Sequence, residues 1–161
     1  MYFLRRIVRL SKNFHLSEMT KSQVASRNNI LNEPSTNEIV ALTALVTACL
    51  QPIRNEHGVV SISSGYRSKE LAPLVKSKIT SSHCFGEAAD FECYSISNYK
   101  LADWIVNNLP EWDQLILEYH NIKIPNSGWL HLSYKRDGKN RKEVKRAILK
   151  SNKTVYLEGL K

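Results

Sequence analysis

Two histidines and an aspartate place the strictest demand on how this chain can fold. His83 and Asp90 stand seven positions apart in Ser81-Ser82-His83-Cys84-Phe85-Gly86-Glu87-Ala88-Ala89-Asp90, and His131 follows much later in Trp129-Leu130-His131. Two neutral imidazoles and one carboxylate suit a catalytic zinc, since three protein ligands leave a fourth position free for water. A structural zinc is normally closed by four ligands, usually with cysteines among them. The pattern predicts a hydrolytic site for one Zn2+ ion, and the fold must bring these distant residues together.

With 161 residues, the chain is expected to form one domain. It is 42% hydrophobic and 24% charged, the composition of a soluble globular protein. The longest apolar stretch, Ile39 to Leu50, is interrupted by two threonines and falls short of a membrane span. Residues 1–10 carry arginines inside an apolar stretch with no small-residue cleavage site after it. That pattern predicts a basic apolar arm on the domain in place of a signal peptide. A protein made in the cytoplasm and acting outside it would then need another route. Three cysteines without a CxxC pair argue against a disulfide framework, and Cys84 reads as a small side chain.

The net charge is +8, with basic residues concentrated in a segment spanning 135–161. Its expected form is a solvated face, partly helical from Glu143 to Leu149. Attraction to a polyanion, nucleic acid or an anionic cell wall, is the functional reading of such a run. No nucleic-acid-binding motif accompanies it, so no nucleic-acid partner is expected. A monomer is.

The remaining pattern predicts an α+β fold, a single compact domain with helices packed on one side of a mainly antiparallel sheet. Ser35 and Glu38 form a capping box for an amphipathic core helix over 36–55, closed by Gly58. Strands are predicted at 59–63, 88–93, 114–119 and 129–133, the last of the sheet. Residues 77–84 read as a loop that puts His83 at a strand entrance, and a helix capped by Ser97 runs over 98–108. Alternation sets Asp90 and Glu92 on one face, Gln114, Ile116 and Glu118 on one face, and Trp129, His131 and Ser133 on one face.

Peptide hydrolysis at such a site needs a proton acceptor that later protonates the departing amine. Glu118 is the candidate, a carboxylate in an apolar strand where burial would raise its pKa. Asp113 and Glu92 are weaker candidates, and Glu87 is expected to face solvent. Arg67, after the Ser64-Gly65-Tyr66 turn, could clamp a substrate carboxylate. Ser64, Tyr66 and Ser81 are further candidates for substrate binding. His15, His57 and His120 read as ordinary surface or core histidines.

Together these motifs closely resemble the zinc D-Ala-D-Ala carboxypeptidase family of peptidoglycan peptidases, particularly its small phage-encoded members. Ser81, His83, Gly86, Ala88 and Asp90 match the pattern S-x-H-x-x-G-x-A-x-D in full. The likeness also takes in Leu10 to Phe14, Ser64 to Ser68, Asp113 to Glu118 and Trp129 to Ser133, from about residue 10 to 147. It implies zinc held by His83, Asp90 and His131, a carboxylate acid/base, an arginine that anchors substrate, and the fold shared with Hedgehog signalling domains. It further implies cleavage next to D-amino acids in peptidoglycan stem peptides, in some phage members as endolysins. The competing expectation is a non-catalytic virion or cell-wall-binding module of the same fold. Two positions depart from the family: Lys76-Ser77 replaces a frequent Gly-Gly pair, and Gly128 stands where several relatives carry the catalytic acid.

Overall fold

The computed structural model describes residues 8–161, so most of the predicted N-terminal arm lies outside the described residues. The fold is α+β, as the sequence pattern predicts. Its helices are α1 (Leu16–Thr20), α2 (Gln23–Arg27), α3 (Thr36–Leu45), α4 (Gln51–His57), α5 (Leu71–Leu74) and α6 (Asn98–Asn108). Its strands are β1 (Val60–Ser64), β2 (Ala88–Cys93), β3 (Gln114–Glu118), β4 (Trp129–Ser133), β5 (Glu143–Lys150) and β6 (Lys153–Glu158). They form one sheet in the order β1-β2-β4-β3-β5-β6, antiparallel except between β3 and β5.

The capping box opens α3: the Ser35 amide donates to Glu38 Oε2 at 2.7 Å. From there the chain stays helical to His57, with a π-helical turn over Val46–Leu50 joining α3 to α4. Pro52 explains that turn. It has no amide hydrogen for the i−4 carbonyl, and the helix widens so that the Gln51 amide donates to the Val46 carbonyl, five residues back. At 22 residues this helix is long enough to cross a membrane. Its apolar residues are instead committed to the core, where Leu42, Leu45, Val46, Cys49, Leu50 and Ile53 have no exposed surface.

Each sheet face has its own task. Ala89, Phe91 and Cys93 of β2, Leu130 and Leu132 of β4, and Leu115 and Leu117 of β3 join that core with α6 residues Leu101 and Ile105. Burying a side chain of this size stabilises the fold by roughly 1.5–3 kcal/mol. The opposite face carries Asp90, His131, Ile116 and Glu118, because paired residues share a face and side chains alternate. The predicted facial groupings hold.

The C-terminal segment corrects the sequence reading twice. Residues 143–150 are strand, not helix, and Trp129–Ser133 is followed by two further strands. Ser151 and Asn152, both at positive φ, make a two-residue turn that folds β5 onto β6. Helix would leave the edge of β3 unpaired; as a strand, β5 completes it in parallel register from Gln114↔Glu143 to Glu118↔Ala147. The segment's charge is also partly answered within the fold. Arg141 pairs with Asp113 at 2.8 Å, and Lys145 with Glu143 at 2.6 Å.

Candidate metal centre and cleft

Asp90 and His131 are direct cross-strand partners on β2 and β4. His83 reaches them from the side on a 3-10 turn, Ser82–Phe85, which replaces the predicted loop and strand entrance. Gly86 ends that turn at φ +71, where an added Cβ would press on the Glu38 backbone, so the motif glycine lets the turn run directly into β2. The Arg67 amide donates to the His83 carbonyl at 3.2 Å and fixes the turn against the sheet.

The three candidate ligand atoms form a compact triangle. His83 Nε2 lies 3.2 Å from His131 Nδ1 and 3.2 Å from Asp90 Oδ1, and His131 Nδ1 lies 2.8 Å from Asp90 Oδ1. Tetrahedral zinc with bonds of about 2.0–2.1 Å holds its ligand atoms about 3.3 Å apart, so small outward shifts would admit the ion. All three residues are buried. His83 Nδ1 donates to the Gly65 carbonyl at 2.6 Å, which fixes the tautomer and leaves the Nε2 lone pair for a metal. Burial lowers the His83 pKa and keeps the ring in its neutral, ligating form. For Asp90, burial favours protonation, but the adjacent His83 and His131 outweigh it and hold the carboxyl well below the usual range. This donor set fits zinc.

Arg67 supports the centre. Its Nη2 donates to Asp90 Oδ2 at 2.8 Å, its Nε to Ser64 Oγ at 3.1 Å and its Nη1 to Ser77 Oγ at 3.3 Å. Asp90 thereby keeps Oδ1 for the triangle while Oδ2 is engaged. Five guanidinium N–H groups less three leaves two for another acceptor. Lys76-Ser77, the departure from the family pattern, thus supplies one of the hydroxyls that hold this arginine.

A cleft of about 650 Å3 lies over the triangle, and its lining includes Ser81, Arg67, Glu87, Glu118, Trp129 and Tyr156. Glu118 is half-buried there; burial raises its pKa, with Asp90 adding to the rise and His131 opposing it. Gly128 stands beside it in space. Its φ of +72 and its contact with the Glu118 carbonyl oxygen leave no room for a Cβ, so no acidic residue fits at 128. The nearby carboxylate of this cleft is on the paired strand, since Glu118 lies opposite Trp129.

Other sequence candidates fall elsewhere. Tyr66 is 9% exposed and packs in the core, and the Ser64 hydroxyl accepts from Arg67. Glu87, expected to face solvent, is half-buried in the cleft lining, and burial raises its pKa. Asp113 is occupied by a two-pronged bond from Arg141, at 2.9 and 2.8 Å. Glu92 accepts from Asn98. His57 packs edge-on to Trp104 and His120 stacks on Tyr99, both away from the triangle. The sequence reading missed Tyr156 and Lys135 as cleft residues, because it took their segment for a solvated tail. For Tyr156, the β-prone run Thr154-Val155-Tyr156-Leu157 after Ser151-Asn152 was the available signal of a strand.

An α+β domain presenting two histidines and an aspartate on an open cleft has the form of a protein that holds a metal ion where substrate can reach it. The family Peptidase M15 matches residues 12–122, more than two thirds of the chain, and the chain belongs to this zinc peptidase family. The match holds His83, Asp90 and Glu118; His131 lies beyond it and is joined to the set by geometry. No curated protein matches the chain.

Proposed function

We propose that the protein hydrolyses peptide bonds next to D-amino acids in peptidoglycan stem peptides, as a D,D-carboxypeptidase or endopeptidase, using one zinc ion at His83, Asp90 and His131. The observation that carries this reading is the triangle of buried ligand atoms on a cleft floor with Glu118 on the same sheet face. When bound there, zinc would supply Lewis-acid polarisation of a carbonyl and a more acidic water.

The protein's own groups account for the rest. Glu118 takes the proton of the attacking water and hands it to the departing amine, a role suited to a carboxylate whose pKa burial has raised. Arg67 fixes Asp90 and offers its two remaining N–H groups to a substrate carbonyl or carboxylate. Ser81, at the cleft, can hydrogen-bond the peptide. The likeness to small phage-encoded enzymes supports a wall-lytic, endolysin-type role exerted outside the cytoplasm.

The test is release of soluble muropeptides from purified sacculi by the zinc-loaded protein, a chelated sample and His83→Ala. Release by the first alone is expected. Equal release by His83→Ala would remove the metal from the account.

A further inference from the structure

The C-terminal hairpin, outside the family match at 12–122, reaches the cleft at one point. Across the site face of the sheet, register aligns Trp129, Glu118, Ala147 and Tyr156 in one row. Adjacent strands are about 4.8 Å apart, so Tyr156 and Glu118 stand about 10 Å apart at the backbone, with a single methyl between them. Ala147 is fully buried. Its small side chain leaves the gap across which the tyrosine ring extends to the cleft.

The hairpin is tied down where this matters. Tyr119, directly after Glu118, donates its amide to the Ala147 carbonyl at 2.8 Å, and its hydroxyl bonds the Thr154 hydroxyl at 2.6 Å. Its ring lies 5.4 Å from that of Trp129. Trp129, Tyr119 and Tyr156 thus form an aromatic wall around Glu118, at one end of the cleft. The other end is polar, with Lys135 and Arg141 paired to Asp113 beside Gln114, Ser133 and Glu87. Tyr156 is 55% exposed, so its phenol is not committed to the core. A tyrosine phenol is a donor at neutral pH, and burial and the nearby Glu118 raise its pKa further.

We propose that Tyr156 is a specificity-determining residue that touches the substrate. Its hydroxyl donates to a backbone carbonyl of the peptide on the Glu118 side of the scissile bond, and its ring closes a wall that accepts an uncharged residue there. An anionic residue at this end would meet Glu118, with no cation among the described residues of the wall to offset it. This rests on the peptidase reading given above.

The test compares the full-length wild type with Tyr156→Phe and Tyr156→Ala, using one defined disaccharide–pentapeptide muropeptide. Turnover is measured with zinc, and binding to the metal-free protein by calorimetry. Losing one neutral hydrogen bond should raise KM and Kd about five- to tenfold in Tyr156→Phe. Tyr156→Ala should lose more, with kcat changed less than KM and zinc content unchanged. Active wild type with both variants within twofold in KM and Kd would overturn the inference and leave the peptidase reading intact. A wild type that neither binds nor cuts the muropeptide would overturn both.

Discussion

Replacing Glu118 with glutamine removes one proton-transfer group and leaves the three candidate ligands in place. The amide is nearly isosteric with the carboxylate, and Glu118 is half-buried with its backbone paired to Trp129, so the strand should persist. General acid–base catalysis contributes typically about 10²- to 10⁴-fold, equivalent to roughly 2.7–5.5 kcal/mol at the transition state. Glu118→Gln should therefore lower kcat by about that factor, with KM within a few-fold and zinc content unchanged. The pH profile gives an independent sign. Burial raises the Glu118 pKa, so its base form is lost as pH falls through a value above that of an ordinary glutamate. The acidic limb of kcat/KM in the wild type should report that raised value, and in the variant it should vanish from this position. Steady-state assays on a defined muropeptide across pH 4–9 (roughly the range in which such a group titrates) read both. Activity within fivefold of wild type, or an unmoved acidic limb, would refute the assignment of Glu118.

Two further outcomes concern the frame around the cleft. Asp113 is held below the usual carboxylate range; burial pushes it up, and Arg141 outweighs this. A depressed pKa gives stability that is present above about pH 4, the unfolded value, and lost as pH falls toward the folded one. Asp113→Asn should cost roughly 2 kcal/mol at pH 7 by urea titration, and the deficit should shrink below pH 4. Gly128→Ala should destabilise by more than 1 kcal/mol, because a Cβ strains a positive φ and overlaps the Glu118 carbonyl. A wild-type melting temperature in Gly128→Ala would contradict that steric account.

The sequence carried the inner sheet and the core helix because their signals are local. Alternation set the faces of β2, β3 and β4, and the Ser35–Glu38 box with Gly58 marked the ends of the long helix. The π turn inside it was legible only as Pro52, whose missing amide has no periodic signature. β5 and β6 were hidden by composition: nine basic residues between 135 and 153 read as solvated surface, while their strand state depends on the edge of β3, which is a tertiary fact.

The site divides in the same way. His83, Asp90 and His131 are visible as residue types at a spacing, and the structure brings their ligand atoms within 4.8 Å of one another. The partner of Arg67 was not visible, because its pairing with Asp90 depends on the turn from β1 lying against β2. Tyr156 entered the cleft only through register, across Ala147.

The central claim is most directly tested by zinc-edge X-ray absorption on the protein loaded with one equivalent of metal. The account predicts a single tightly held ion with two imidazole nitrogens and oxygen donors at about 2.0–2.1 Å, and loss of one imidazole in His83→Ala. A first shell without histidine, or one unchanged in His83→Ala, would contradict it.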